Sequence, residues 1–275
     1  MQQVFPTTRA TSPSSTGSST RLRWSSLQVL HGLPALVAGL VVWQLIVLLP
    51  ISASFAIPGP VDVAREWLKL LQLERYWAAW QATAQRVLVG FAVAQLIGIP
   101  LALAMAWSRL VHDFTFPVFE LLRPIPPLGW VPLAILFWPT TELSVVSIIF
   151  LGAFFTIVTN VHNAARRIDP TYIRAARSMG ARGRHLLWRI VLPAMAPAIV
   201  TGMTVGIGVT WDVVIAAEII ARGQGLGRMT WEAYINGNLA EIIVGMGSVA
   251  IAGLVSSLVI RRIALLCLPW LGEWR

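Results

Sequence analysis

Charge is scarce in this chain. Only 12% of its 275 residues are Asp, Glu, Lys or Arg, about half of the roughly 25% that soluble domains carry. That shortage excludes a large water-facing surface. Cysteine is nearly absent as well. Cys267 stands alone, which excludes an internal disulfide and any cysteine-rich metal site. The histidines His31, His112, His162 and His185 are scattered, and no nucleophile–base–acid set can be assembled from them. The glycines of Arg222-Gly223-Gln224-Gly225-Leu226-Gly227 lack the following Lys-Ser/Thr of a phosphate-binding loop. The chain is therefore expected to be no enzyme, and to bind no metal, nucleotide or other cofactor itself. An apolar leader core is missing from the N-terminal segment, which contains TTRATSPSSTGSST. Residues 1–28 are expected to be a disordered cytoplasmic tail.

What the chain has in excess is apolar sequence. Hydrophobic residues make up 56% of it and mean hydropathy is +0.71. Runs of the roughly 20 residues needed to cross a bilayer recur along it, which predicts an all-α, multi-pass membrane protein with one membrane domain, residues 29–275. Six spans are expected, at Leu33–Pro50, Val87–Trp107, Phe114–Trp138, Leu143–Val161, Ala194–Ile220 and Ile242–Ile260. The third is interrupted by Glu120, Arg123 and a run of prolines.

Basic residues set the orientation. One loop, 162–193, carries Arg166, Arg167, Arg174, Arg177, Arg182, Arg184 and Arg189. The whole opposite side has Arg65, Lys69, Arg75, Arg86, Arg222 and Arg228. Both termini and the 162–193 loop are thus expected in the cytoplasm. The net charge of +9 then reflects topology rather than nucleic-acid binding. On the outer side, Asp62 is expected to cap an interfacial helix with Val63, Trp67, Leu70 and Leu71 on one face.

The basic loop is also amphipathic. Asp169-Pro170 is a helix start, an N-cap acceptor followed by proline at the first helical position. Tyr172, Ala175, Ala176 and Met179 share one face opposite Arg174, Arg177 and Ser178. Gly180 suits a left-handed helix end. A second short helix puts Leu186, Leu187, Ile190 and Val191 against Arg182, His185 and Arg189, before Pro193 opens the fifth span. Such a hairpin either enters a groove on another protein or rests on anionic lipid.

Ala175-Ala176, three residues, Gly180, nine residues, then Ile190-Val191-Leu192-Pro193 resembles the cytoplasmic loop of ATP-binding-cassette importer permeases. That loop reads Glu-Ala-Ala, three residues, Gly, nine residues, Ile-x-Leu-Pro. Arg174 stands where the family has Glu. Residues 86–109, 121–138 and 208–229 resemble the branch that serves nitrate, sulfonate, taurine and bicarbonate, including Ala216-Ala217-Glu218. The resemblance implies the type I importer permease fold and a coupling role for Arg174, Ala175, Ala176, Met179, Gly180, Ala181, Ile190, Leu192 and Pro193. It implies import of a small anion, a sulfonate such as taurine or nitrate, and after them bicarbonate. It further implies a second permease copy, two cytoplasmic ATPase subunits that hold the ATP and Mg, and an external binding protein, in a bacterial inner membrane. The competing expectations are an ion-coupled transporter or channel without an ATPase, and a scaffold or sensor subunit.

Ionisable residues inside a membrane usually pair or line a wet path. Candidates for the path are Arg123, Trp130, Trp211, Asp212 and Glu218. Arg123 either attracts an anion or is neutralised by Glu120, three residues earlier. Trp130 and Trp211 either line the path or pack. Gly202 and Gly206 form a Gly-x-x-x-Gly that serves close helix packing or lies near the seam between two copies.

Overall fold

A computed structural model describes residues 27–48 and 57–268. The expected tail, residues 1–26 of it, and Pro50 lie outside the described residues. Helix α1 (Leu27–Leu48) forms one unit and is considered by itself. The second unit begins at Ile57 and is all-helical among its described residues. Its helices are α2 (Pro60–Leu70), α3 (Glu74–Trp107), α4 (Arg109–Leu122), α5 (Val131–Phe137), α6 (Thr141–Arg166), α7 (Pro170–Ser178), α8 (Gly183–Leu186), α9 (Leu192–Ile220), α10 (Leu226–Ile235) and α11 (Leu239–Cys267). Among the described residues, four stretches are long and apolar enough to cross a membrane: Glu74–Trp107, Thr141–Arg166, Leu187–Ile220 and Leu239–Cys267.

Helices α3, α6 and α9 form the centre. Glycine lets their backbones approach: a β-carbon at Gly90 would lie 2.7 Å from Ile149 Cγ2, and one at Gly98 2.6 Å from Ile157 Cγ2. Gly202 is pressed against Asn160 and Ile157, both 2.9 Å from its would-be β-carbon, and Gly206 faces Phe91. The Gly-x-x-x-Gly of α9 therefore packs within the chain. Around this centre Leu88, Leu96, Leu254, Leu258 and Leu266 point outward uncovered, as a lipid-facing surface requires.

The expected third span is not one helix. Helix α4 starts at Arg109 and ends at Leu122, a 3₁₀ turn covers Pro127–Trp130, and α5 completes the segment. Pro124, Pro126 and Pro127 remove backbone donors and disfavour helical geometry in the residues before them. The broken unit still runs antiparallel along the length of α6. Phe116 meets His162, Phe119 meets Phe155, Pro127 faces Gly152, and Ser144 donates to the Ala134 carbonyl at 3.2 Å. Neither piece is long enough to cross alone, but together they match α6.

Helix α2 corrects a detail. Pro60 is its first residue and Gly59 its N-cap. Asp62 sits one turn in and accepts from the Gly59 N–H at 3.1 Å, so it caps from the N3 position. Val63 and Leu70 are buried, but Leu71 ends the helix exposed. Trp67 donates to the Tyr76 hydroxyl at 3.1 Å, which meets Ser248 Oγ at 2.8 Å, and a β-carbon at Gly247 would touch the Trp67 ring. The helix is thus fastened to α3 and α11. Glu66 adds an outer clasp, accepting from Lys69 Nζ at 3.1 Å and Asn238 Nδ2 at 3.2 Å.

Two measurements test this packing. Gly98→Leu should cost about 1–3 kcal/mol by overpacking against Ile157, seen as a lower Tm in detergent, while Leu96→Val on the uncovered face leaves Tm unchanged. The hydrogen bond from Lys69 holds the Glu66 carboxyl below the usual Glu range. A lowered folded pKa means the clasp is fully present above the ordinary value of about 4.3 and is lost as pH falls through the lowered one. Hydrogen exchange in α2 should therefore quicken as pH drops below about 4.3, relative to the intrinsic rate, and Glu66→Gln should remove that dependence.

Candidate functional site

The segment after α6 is built by local rules. Asp169 accepts from the Thr171 N–H at 2.8 Å, which holds its carboxyl below the usual Asp range, and Pro170 opens α7. At the other end Gly180 takes φ +89°. Ala181 N donates to Ala176 O at 2.9 Å and Gly180 N to Arg177 O at 3.0 Å, the paired bonds of a left-handed helix stop. A β-carbon at Gly180 would stand in open space, so its backbone conformation is the reason for glycine.

The face expected to be apolar divides. Ala176 is buried, while Tyr172 and Met179 are 68% and 81% exposed and Ala175 is exposed beside them. Arg174 is exposed and donates to Thr171 Oγ1 at 3.2 Å. Behind the turn, Gly183 (φ +50°) starts α8, with Leu186 and Val191 buried and Arg182, His185 and Arg189 exposed. Ala181, Ile190, Leu192 and Pro193 are half-buried.

Pro193 opens no separate span. Helix α8, a π-helical turn over Leu187–Val191 and α9 are one continuous helix. The widened turn just before Pro193 accommodates a ring that would otherwise meet the carbonyl four residues back. Among the coupling candidates, Arg174, Ala175, Met179 and Gly180 thus share one exposed corner over the buried Ala176 and half-buried Ala181, and Ile190, Leu192 and Pro193 belong to the helix behind it.

The intramembrane candidates scatter. Arg123 is half-exposed at the end of α4, 3.4 Å from Glu120. Trp130 is half-buried where the broken unit resumes, its Nε1 buried without a partner. Trp211 is 5% exposed, packs near Trp80 and donates to Ser256 at 3.1 Å. Asp212 is exposed on α9. Glu218 is fully enclosed.

Glu218 belongs to a cluster that the sequence hides. Arg86, counted from sequence among the loop charges, lies inside α3 and is 3% exposed. Its Nη1 donates to Glu218 Oε1 at 2.6 Å and to the Gln224 carbonyl, and its Nε donates to Glu142 Oε2 at 2.6 Å. Thr83 donates to Glu218 at 2.8 Å and accepts from the Leu226 N–H at 2.9 Å. The Gly227 N–H completes the set at 2.9 Å from Glu218 Oε2. The loop leading to α10 needs its glycines here. A β-carbon at Gly225, where φ is +154°, would strike the Glu218 carboxylate, and one at Gly227 would lie 2.5 Å from the Ile215 carbonyl. A charge inside a predicted span was the available signal, but the partner is 132 residues away.

Comparison with known proteins places these features. Residues 96–271 match the family model of the binding-protein-dependent transport system inner membrane component. The chain belongs to that family. It is similar to the taurine transport system permease protein TauC of Escherichia coli (strain K12), 32% identical over 93% of this chain and 96% of the relative. It is also similar to the nitrate import permease protein NrtB of Synechocystis sp., 31% identical over 89% and 91%, and to the bicarbonate transport system permease protein CmpB of Synechococcus elongatus, 31% over 90% and 89%. This transport component is a multi-pass inner membrane protein. The matched span runs from within α3 through the exposed α7 corner and the Glu218 loop to beyond the end of α11.

Removing one partner of a buried ion pair strands the other. Arg86→Met should therefore cost the permease about 3–5 kcal/mol, seen as a fall in Tm and loss of a monodisperse elution peak. Arg86→Lys keeps the charge but loses the fork, and should fall between the two. A Tm equal to the parent's in Arg86→Met would contradict the role given to this cluster.

Proposed function

We propose that this chain is the transmembrane permease of an ATP-driven importer for a small anion, and that the exposed α7 corner is where the ATPase docks. One observation carries the docking assignment. Tyr172, Ala175 and Met179 form an apolar face with nothing over it, on a helix ended by a rigid glycine turn and ringed by Arg174, Arg177 and Arg182. An amphipathic helix of this kind enters a groove on a partner. Its continuity with α6 on one side and α9 on the other makes it a lever on the two central helices. Arg174, Ala175, Met179, Gly180 and Ala181 would meet the ATPase, with buried Ala176 seating the helix beneath them and Ile190, Leu192 and Pro193 transmitting the load.

The assembly we infer has two copies of this chain, two ATPase subunits holding ATP and Mg on the cytoplasmic side, and an external binding protein. Six crossings are proposed: α1, α3, the α4–α5 unit, α6, α9 and α11. Both termini and the 162–193 segment would face the cytoplasm, as the excess of basic residues there supports. Closure of the ATPase pair would draw the α7 corners together and switch the path by rigid-body motion. Relatives named for taurine, nitrate and bicarbonate support a sulfonate, nitrate or bicarbonate as cargo. Arg123, Trp130 and Asp212 are proposed to lie along the path. Glu218 and Trp211 are proposed to act on it through packing.

The test is retention of the ATPase. Detergent-solubilised parent should co-purify with cassette ATPase subunits from its own cell extract, and Ala176→Glu with Gly180→Pro should retain at least tenfold less. Met179→Asp, exposed and harmless to the fold, should weaken retention with Tm unchanged. Equal retention by well-folded variants would sink the docking assignment.

A further inference from the structure

Where α4 meets α6 at the α7 end of the molecule, Met105, Phe116, Phe119, Glu120, Arg123, Thr159, His162, Asn163 and Arg166 enclose a cavity of about 50 Å³. His162 is 4% exposed, and among the described residues neither of its buried ring nitrogens has a hydrogen-bond partner. A buried polar group left unpaired in this way calls for a water or an ion that satisfies it. Its ring is positioned from the other side by stacking, with His112 at 5.5 Å and Phe116 at 5.3 Å.

The other groups stand at the exposed rim of this cavity: Glu120, Arg123, Asn163 and Arg166 are all exposed. The Arg166 guanidinium and the Asn163 amide make no hydrogen bond or ion pair among the described residues, and Arg123 has only the 3.4 Å contact to Glu120. Thr159 spends its own hydrogen on the Phe155 carbonyl at 2.7 Å. Two guanidinium groups, an amide and an imidazole thus face a single, half-exposed carboxylate. Two fixed cations beside an amide N–H₂ and a ring N–H, in a site walled by Met105, Phe116 and Phe119, favour a ligand carrying negative charge.

We propose that this cavity binds one small oxyanion, held by Arg123, His162, Asn163 and Arg166. The volume admits roughly one or two waters, or a planar anion of about that size, and excludes a long acid. An anion there would neutralise Arg123 on α4 and Arg166 on α6 at once and tie the two helices together. Arg166 is the last residue of α6, and Asp169 begins the start of α7 three residues on, so the site adjoins the proposed docking corner.

The choice of nitrate as a probe rests on the small-anion importer reading. Full-length chain in phosphatidylcholine nanodiscs would be titrated calorimetrically with sodium nitrate, ionic strength being held constant with sodium gluconate. Saturable binding of one nitrate per chain is expected, with affinity at least tenfold weaker in Arg166→Gln and in His162→Phe. His162→Phe keeps the ring stack and removes only the nitrogens, so a loss with unchanged Tm separates donation from packing. Arg123→Gln serves as the second arginine variant should Arg166→Gln fold poorly.

No saturable heat with the parent, or parent-like affinity in the folded variants, would overturn the proposal. A lipid phosphate is the competing oxyanion. Unchanged nitrate affinity in phosphatidylglycerol nanodiscs supports the soluble anion, whereas loss of nitrate binding there gives the pocket to lipid and overturns it. Binding by the chain alone needs no ATPase. No nitrate binding by the parent alongside intact ATP-driven uptake therefore counts against the pocket alone, and nitrate binding by the parent without ATP-driven uptake counts against the importer reading alone.

Discussion

A guanidinium buried in α3 organises the far end of this permease. Arg86 reaches Glu218 on α9, Glu142 on α6 and the backbone of Gln224, so three helices and a loop converge on one side chain. Charges at membrane depth are tolerated when paired with one another or with backbone, and here nearly every lone pair of Glu218 is answered by Arg86, Thr83 or the Gly227 N–H. A completed buried cluster adds little stability over apolar packing, but an incomplete one is costly. Its value is therefore registry. The cluster forms only when α3, α6 and α9 hold one axial and rotational relation, and Gly225 and Gly227 allow the α10 loop to close over it.

That registry matters to the proposed coupling, in which α6 and α9 would carry the motion against α3. Helix α6 delivers its last residues straight into the Asp169 cap of α7, and α9 begins as the continuation of α8. In that proposal a force on the exposed α7 corner would pass along backbone helix to the central triple, with glycine turns at Gly180 and Gly183 as the corners between. The Arg86 cluster sits at the opposite end of the same helices, so α6 and α9 are gripped at one end and free to be levered at the other. The broken α4–α5 unit lies alongside, its prolines placing non-helical backbone at the level of Gly152, midway along α6. Backbone of that kind is stable at membrane depth only where protein buries it or water reaches it.

Much of this was legible in the residues. Apolar period and length announced the long helices, because a helix in lipid must satisfy its backbone internally and bury or expose whole apolar faces. Asp169-Pro170 and Gly180 marked the ends of α7 correctly, because capping depends on the side chain and φ preference of single residues. The prolines of 124–127 announced a break in the expected third span for the same local reason. Helix ends were read less well. Helix α3 begins at Glu74 rather than Val87, because its polar first turns gain their support from α2 and α10, which local sequence does not report.

What the chain could determine alone was therefore everything set within one helical turn or by the length of an apolar run: caps, breaks, the long apolar helices and the amphipathic corner. Only the tertiary structure decided which charges are partners. Arg86 and Glu218 are 132 residues apart, and sequence spacing orders groups along one helix but says nothing of which face of another it meets. The same holds for Arg123, His162 and Arg166, which become one set of donors only because α4 runs back along α6. Packing brings those helices within contact, and burial then turns isolated polar residues into groups that must find a partner.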